Sequence, residues 1–143
     1  MDTIKELETY LECNGYSFSE LSIGKHHAPE GIIIDENQGK YNYSYSERGK
    51  INILKSFNTE AELVKYALED LMSDEWATAH IAAMTFDKSE IINAEEELKA
   101  NGIYFKRNDM PNFRNGCPVY RIYVFGRDIF NLNAFKAKYL HTL

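Results

Sequence analysis

The sequence predicts an α+β fold, a single domain over residues 1–143 whose mainly antiparallel sheet carries its helices packed on one face. Three observations lead there. Strand-like segments cluster as meanders instead of alternating with helices. The turns Asn37-Gln38-Gly39 and Glu47-Arg48-Gly49 are short enough for hairpins and supply Gly for positive φ. Capping boxes mark helix starts at Thr3, Thr59 and Asp87. The expected order is α-βββ-α-α-α-β-β-α, a three-stranded meander followed by a later strand pair.

Thr3-x-x-Glu6 opens a first helix with Ile4, Leu7, Tyr10 and Leu11 on one stripe, closed by Asn14-Gly15. Residues 31–35, 40–46 and 50–57 read as the meander. Thr59-x-x-Glu62 begins a second helix, with Leu63, Val64, Ala67, Leu68 and Leu71 forming an apolar stripe suited to lie across it. Residues 74–84 continue helically, because Trp76, His80, Ala83 and Met84 have the spacing of a buried face. Asp87-x-x-Glu90, with Phe86 and Ile91 placed as a hydrophobic staple, starts a third helix that stops at Asn101-Gly102. Residues 103–106 and 119–125 read as strands joined by a loop over 107–118. Asn131 caps a final helix through Leu132, Phe135 and Tyr139, with Lys136, Lys138 and His141 near its C-terminal dipole.

Length and composition bound the function. A chain of 143 residues can bury one real core. With 44% hydrophobic and 27% charged residues it is ordinary globular material, and no apolar run is long enough to span a membrane. The opening residues 1–6 have no export signal, and Cys13 and Cys117 suggest reduced thiols. Both features predict a cytoplasmic protein. The net charge of −6 hides an asymmetry: residues 1–97 hold 20 acidic and 8 basic side chains, residues 98–143 hold 2 and 8.

Catalytic motifs with diagnostic spacing are absent from the sequence. The chain has no P-loop, G-x-G-x-x-G, G-x-S-x-G or H-E-x-x-H. Cys117 with His80 or His141 would be a nucleophile and base only if the fold joined them, and Gly116-Cys117-Pro118 reads as a turn entering a strand. His26-His27 lacks a third His or a Cys to complete a metal site and reads as solvated loop. The pairs Glu69-Asp70 and Asp74-Glu75 and the run Glu95-Glu96-Glu97 sit opposite apolar stripes, as solvated faces or a binding surface. No enzyme activity, cofactor or metal is expected.

Binding is therefore the expected role. Tyr104-Phe105-Lys106-Arg107, Phe113-Arg114, Tyr120-Arg121 and Phe125-Gly126-Arg127 interleave aromatics with cations, as in sites for single-stranded nucleic acid. That gives the alternative function, a small regulatory or nucleic-acid-binding domain using the basic aromatic C-terminal stretch, although the net negative charge weighs against nucleic acid. Tyr41, Tyr43 and Tyr45 occur at period two and so share a sheet face, as an aromatic layer under a helix or an exposed recognition strip.

The segment Tyr43-Ser44-Tyr45-Ser46-Glu47-Arg48-Gly49-Lys50-Ile51, followed by Phe57-Asn58-Thr59-Glu60-Ala61-Glu62, resembles the small immunity proteins encoded beside bacterial polymorphic toxins. In these, an S-E-R-G hairpin turn, a further strand and an F-x-T-E-x-E helix start recur. The likeness covers roughly residues 30–72. It implies a cytosolic, non-catalytic protein that neutralises a co-produced toxin domain by tight stoichiometric binding. Acidic immunity proteins commonly face basic, nuclease-like toxins. On that reading Asp70, Asp74, Glu75, Glu95 and Glu96 are the expected charge contacts, with an exposed Tyr43 or Tyr45 as anchor.

Overall fold

A computed structural model describes residues 1–143. The chain forms two compact units, residues 1–77 and 78–143, each with its own sheet and core. The α+β class is as the sequence predicts, and the meander and the later strand pair belong to separate sheets.

In the first unit α1 (Ile4–Cys13) is followed by β1 (Leu21–Ile23), β2 (Gly31–Asn37), β3 (Lys40–Glu47), β4 (Lys50–Phe57) and α2 (Glu60–Met72). The N-caps at Thr3 and Thr59 form as expected. Thr3 Oγ1 accepts the Glu6 N–H at 3.0 Å, and Thr59 Oγ1 accepts that of Glu62 at 3.3 Å. Glu60 reaches further, accepting the Ile4 N–H at 2.7 Å and so fastening the first turn of α1 to α2. The hairpins β2–β3 and β3–β4 turn on Gln38-Gly39 and Arg48-Gly49, whose φ pairs of 53° and 77°, and 52° and 78°, match the twist of the flanking strands. Leu7, Leu11, Ile34, Tyr43, Leu63, Val64 and Ala67 form the core between these helices and the sheet.

The strand β1 was not legible in the sequence. It pairs parallel to β2, giving the order β1-β2-β3-β4. Gly31 makes the approach possible: its φ is +113°, and a Cβ there would overlap the Glu20 carbonyl. Gly31→Ala should cost at least about 1–3 kcal/mol from backbone conformation alone. Chemical denaturation would show it as a lowered midpoint at constant m-value.

The second unit contains β5 (Ala79–Thr85), α3 (Lys88–Ala100), β6 (Phe105–Arg107), β7 (Met110–Arg114), β8 (Cys117–Phe125) and α4 (Asn133–Tyr139). β8 is central, flanked by β5 and β6 and paired at its start with β7. Ala82, Ala83, Ile91, Leu98, Ile122, Val124 and Phe135 are its buried core. Asp87 Oδ1 caps α3 by accepting the Ser89 and Glu90 N–H groups at 2.9 and 3.3 Å.

Three local expectations are corrected. Residues 74–84 do not continue α2: a 3₁₀ turn, Glu75–Thr78, leads into β5. Over so short an apolar run helical and strand periods cannot be separated. Asp74 then decides locally, because its Oδ1 accepts the Trp76 N–H at 3.0 Å and turns the chain out of the helix. The loop over 107–118 contains β7, joined to β8 through Asn115-Gly116 with φ of 52° and 76°, a third hairpin turn of the same kind. Finally, Leu132 and not Asn131 is the N-cap of α4, without a side-chain bond, after a 3₁₀ segment over Gly126–Asn131.

Candidate partner-binding cleft

The period-two tyrosines of β3 divide along one face. Tyr43 lies under α2, 1% exposed, with its ring edge-on to Tyr66 at 5.1 Å. Its hydroxyl donates to Asp70 of the same helix. Burial, reinforced by the Asp70 carboxylate, pushes the Tyr43 phenol well above its usual pKa. Tyr43 is thus not the exposed anchor expected of it: the apolar stripe of α2 covers the middle of the strand. Tyr45, two residues on, is 38% exposed and lies beside Leu71 at the C-terminal end of that helix.

There Tyr45 lines a cleft of about 260 Å³ with Ser17, Ser19, Glu20, Leu21, Gly31, Ile32, Leu71, Asp74, Trp76 and Ala77. Each wall has a structural cause. The parallel pairing of β1 brings Leu21 alongside Ile32. The Ser17 N–H donates to the Ala77 carbonyl at 2.9 Å, holding the segment after α1 against the 3₁₀ turn. That turn presents Trp76, 41% exposed, where the sequence had suggested a buried face. Its lining combines the apolar side chains of Leu21, Ile32 and Leu71, the carboxylates of Glu20 and Asp74, and two large aromatic side chains. The volume falls below the roughly 300–1,000 Å³ of small-molecule sites and suits one long side chain. An arginine or lysine fits this chemistry, with its stem or guanidinium against aromatic rings and its charge near carboxylates.

Of the expected contact residues, Tyr45 and Asp74 meet in this cleft. Glu75 follows Asp74 in the 3₁₀ turn and is exposed. Asp70 is engaged with Tyr43. Glu95 and Glu96 lie on α3 in the second unit. Glu96 is exposed there, whereas Glu95 accepts from Arg107 at 2.9 Å. Arg107 also pairs bidentately with Asp109, at 2.9 and 2.7 Å. Burial opposes charge on Asp109, but the Arg107 fork and the Arg121 N–H outweigh it and hold its pKa below the usual carboxylate value. Glu95 is therefore committed to a structural network. Trp76 and Glu20 are the site residues that sequence reasoning missed; the signal for Trp76 was Asp74, a turn-former two residues before it.

A second exposed feature of this unit is β4, the edge of its sheet, which shows Ile51, Ile53 and Leu54 at more than half exposure. Lys50 and Lys55 guard this edge against non-specific strand pairing. Elsewhere, Cys13 and Cys117 are both free and exposed, and no helix is long and apolar enough to cross a membrane. Compared with known protein families, with curated proteins and with solved structures, the chain matches none.

Proposed function

We propose that this protein is an immunity protein, which binds and neutralises a cognate bacterial toxin domain in the cytoplasm of the producing cell. One observation carries the reading: a cleft of about 260 Å³ lined by Tyr45, Trp76, Glu20 and Asp74, on a unit that holds 15 acidic and 7 basic residues. Such a surface favours encounter with a basic partner and gives it a desolvated anchor. The resemblance of roughly residues 30–72 to immunity proteins supplies the kind of partner, a co-produced toxin domain with a basic, nuclease-like surface. No catalytic step is assigned to this chain.

Co-expression tests it. Tagged protein produced with the toxin-like product encoded beside it should retain that product through purification and restore growth to cells expressing it. Absence of both capture and rescue would overturn the reading.

One observation favours a second reading, a nucleic-acid-binding role for the basic aromatic C-terminal stretch. The Arg114 guanidinium lies 5.8 and 5.7 Å from the ring centres of Phe86 and Phe113, a cation–aromatic cluster of the kind that stacks on bases. A salt-sensitive gel shift on single-stranded RNA, lost in Arg114→Ala, would favour it.

A further inference from the structure

We propose that Glu8, Glu12 and His26 form a binding site for a divalent transition-metal ion of the zinc type. Glu8 and Glu12 are one helical turn apart on α1 and project from the same face. The connection after β1 brings His26 to them. Its Nε2 lies 2.7 Å from Glu12 Oε2 and 3.9 Å from Glu8 Oε2, and one ligand atom from each of the three residues lies within 4.8 Å of the others. Four-coordinate zinc holds its donors roughly 3.3–3.6 Å apart at bond lengths of about 2.0–2.2 Å. Side-chain shifts of about 1 Å therefore place all three on one ion, with water completing the shell.

The donors are oriented in advance. The His26 ring stacks on Phe18 with centroids 3.7 Å apart and planes within 11°. The His26 backbone exchanges N–H···O bonds of 2.9 and 3.0 Å with Ile23. Glu8, only 3% exposed, accepts the Lys25 N–H at 2.8 Å, an outer-shell bond of the kind that fixes a metal ligand. Gly24 lies so close that a Cβ there would overlap the Glu8 carboxylate. A buried carboxylate held against backbone, a second carboxylate and an imidazole make a mixed donor set suited to zinc, whereas magnesium prefers oxygen and water.

Two ammonium groups now neutralise the carboxylates, Lys25 at 3.3 Å from Glu12 and Lys5 at 3.5 Å from Glu8. Both lysine side chains are mostly exposed, at 71% and 82%, so their charged ends can leave to water at little cost. The ion would tie the segment after β1 to α1.

Isothermal titration of the untagged chain with zinc chloride tests this, with magnesium chloride as comparison. The expected result is one zinc per chain, a raised melting temperature and no comparable magnesium response. Affinity should fall about tenfold or more in His26→Gln and in Glu12→Gln, stay unchanged in His27→Gln, and rise in Lys25→Ala. Circular dichroism establishes that each variant is folded. The proposal is overturned by absence of stoichiometric binding in the parent chain, by binding that survives both His26→Gln and Glu12→Gln, or by loss in His27→Gln, which would indicate adventitious coordination by the exposed loop.

Discussion

Replacing Tyr43 by alanine should remove about 3–5 kcal/mol from the stability of the first unit, the range for deleting a large buried aromatic side chain. Folded domains retain only about 5–15 kcal/mol in total, so the variant should lose a large fraction of its stability and melt at a markedly lower temperature. Two contributions add. The ring is sealed beneath α2 and packs edge-on against Tyr66, and its hydroxyl donates to Asp70. Tyr43→Phe isolates the second contribution. It should cost about 1–2 kcal/mol, less than for a fully buried charged partner, because Asp70 is exposed enough to recover water.

The same pair predicts a pH dependence of definite sign. The folded-state pKa of Tyr43 is raised above its ordinary value of 10.0. Its stabilising contribution is therefore fully present below that value and is lost as pH rises beyond it, when the unfolded chain releases the proton and the folded chain does not. Urea denaturation from pH 8 to about 11 should show the parent protein losing stability more steeply than Tyr43→Phe. Parallel profiles would show that burial and the Asp70 carboxylate do not raise the Tyr43 phenol in the folded chain.

If the proposed immunity function holds, Trp76→Ala should weaken capture of the partner by about 2–4 kcal/mol, roughly 30- to 1,000-fold in Kd, with little change in melting temperature. The side chain is 41% exposed and flanks the cleft without belonging to the hydrophobic core. Glu20→Lys should act differently, slowing association about tenfold or more at low salt and much less at high salt. Asp74 is the poorer choice for charge reversal, since its carboxylate also holds the turn through the Trp76 N–H. Association and dissociation rates measured by surface plasmon resonance on the co-purified pair would separate the two effects. A Trp76→Ala complex as tight as the parent's would eliminate the cleft as the anchor site while leaving capture itself to be explained by another surface, such as the β4 edge.

The residues 1–143 dictate most of the local structure directly. Thr3, Thr59 and Asp87 start helices because their side-chain oxygens satisfy amide groups that a helix leaves bare. Gly39 and Gly49 close hairpins because positive φ costs them little. These are interactions within a few residues, and a sequence states them. The extra strands and the cleft are of another kind. β1 is three residues long and is a strand only because Gly31 admits a parallel neighbour. Residues 79–85 carry apolar side chains compatible with either period, and pairing with β8 settles them as strand.

The fate of the three tyrosines followed the same division. Their shared face was legible from period two, but where α2 ends above that face is a tertiary fact, and it buries Tyr43 while leaving Tyr45 at the rim of the cleft. The cluster of Glu8, Glu12 and His26 was likewise beyond the sequence, since its two carboxylates lie 14 or more positions from the imidazole and meet it only through the turn after β1. Sequence alone determined the class, the caps at Thr3, Thr59 and Asp87, the first two hairpin turns and the acidic stretch over residues 1–97. Tertiary structure decided which of those side chains face water together, because that depends on contacts between residues too far apart in the chain for any local pattern to encode.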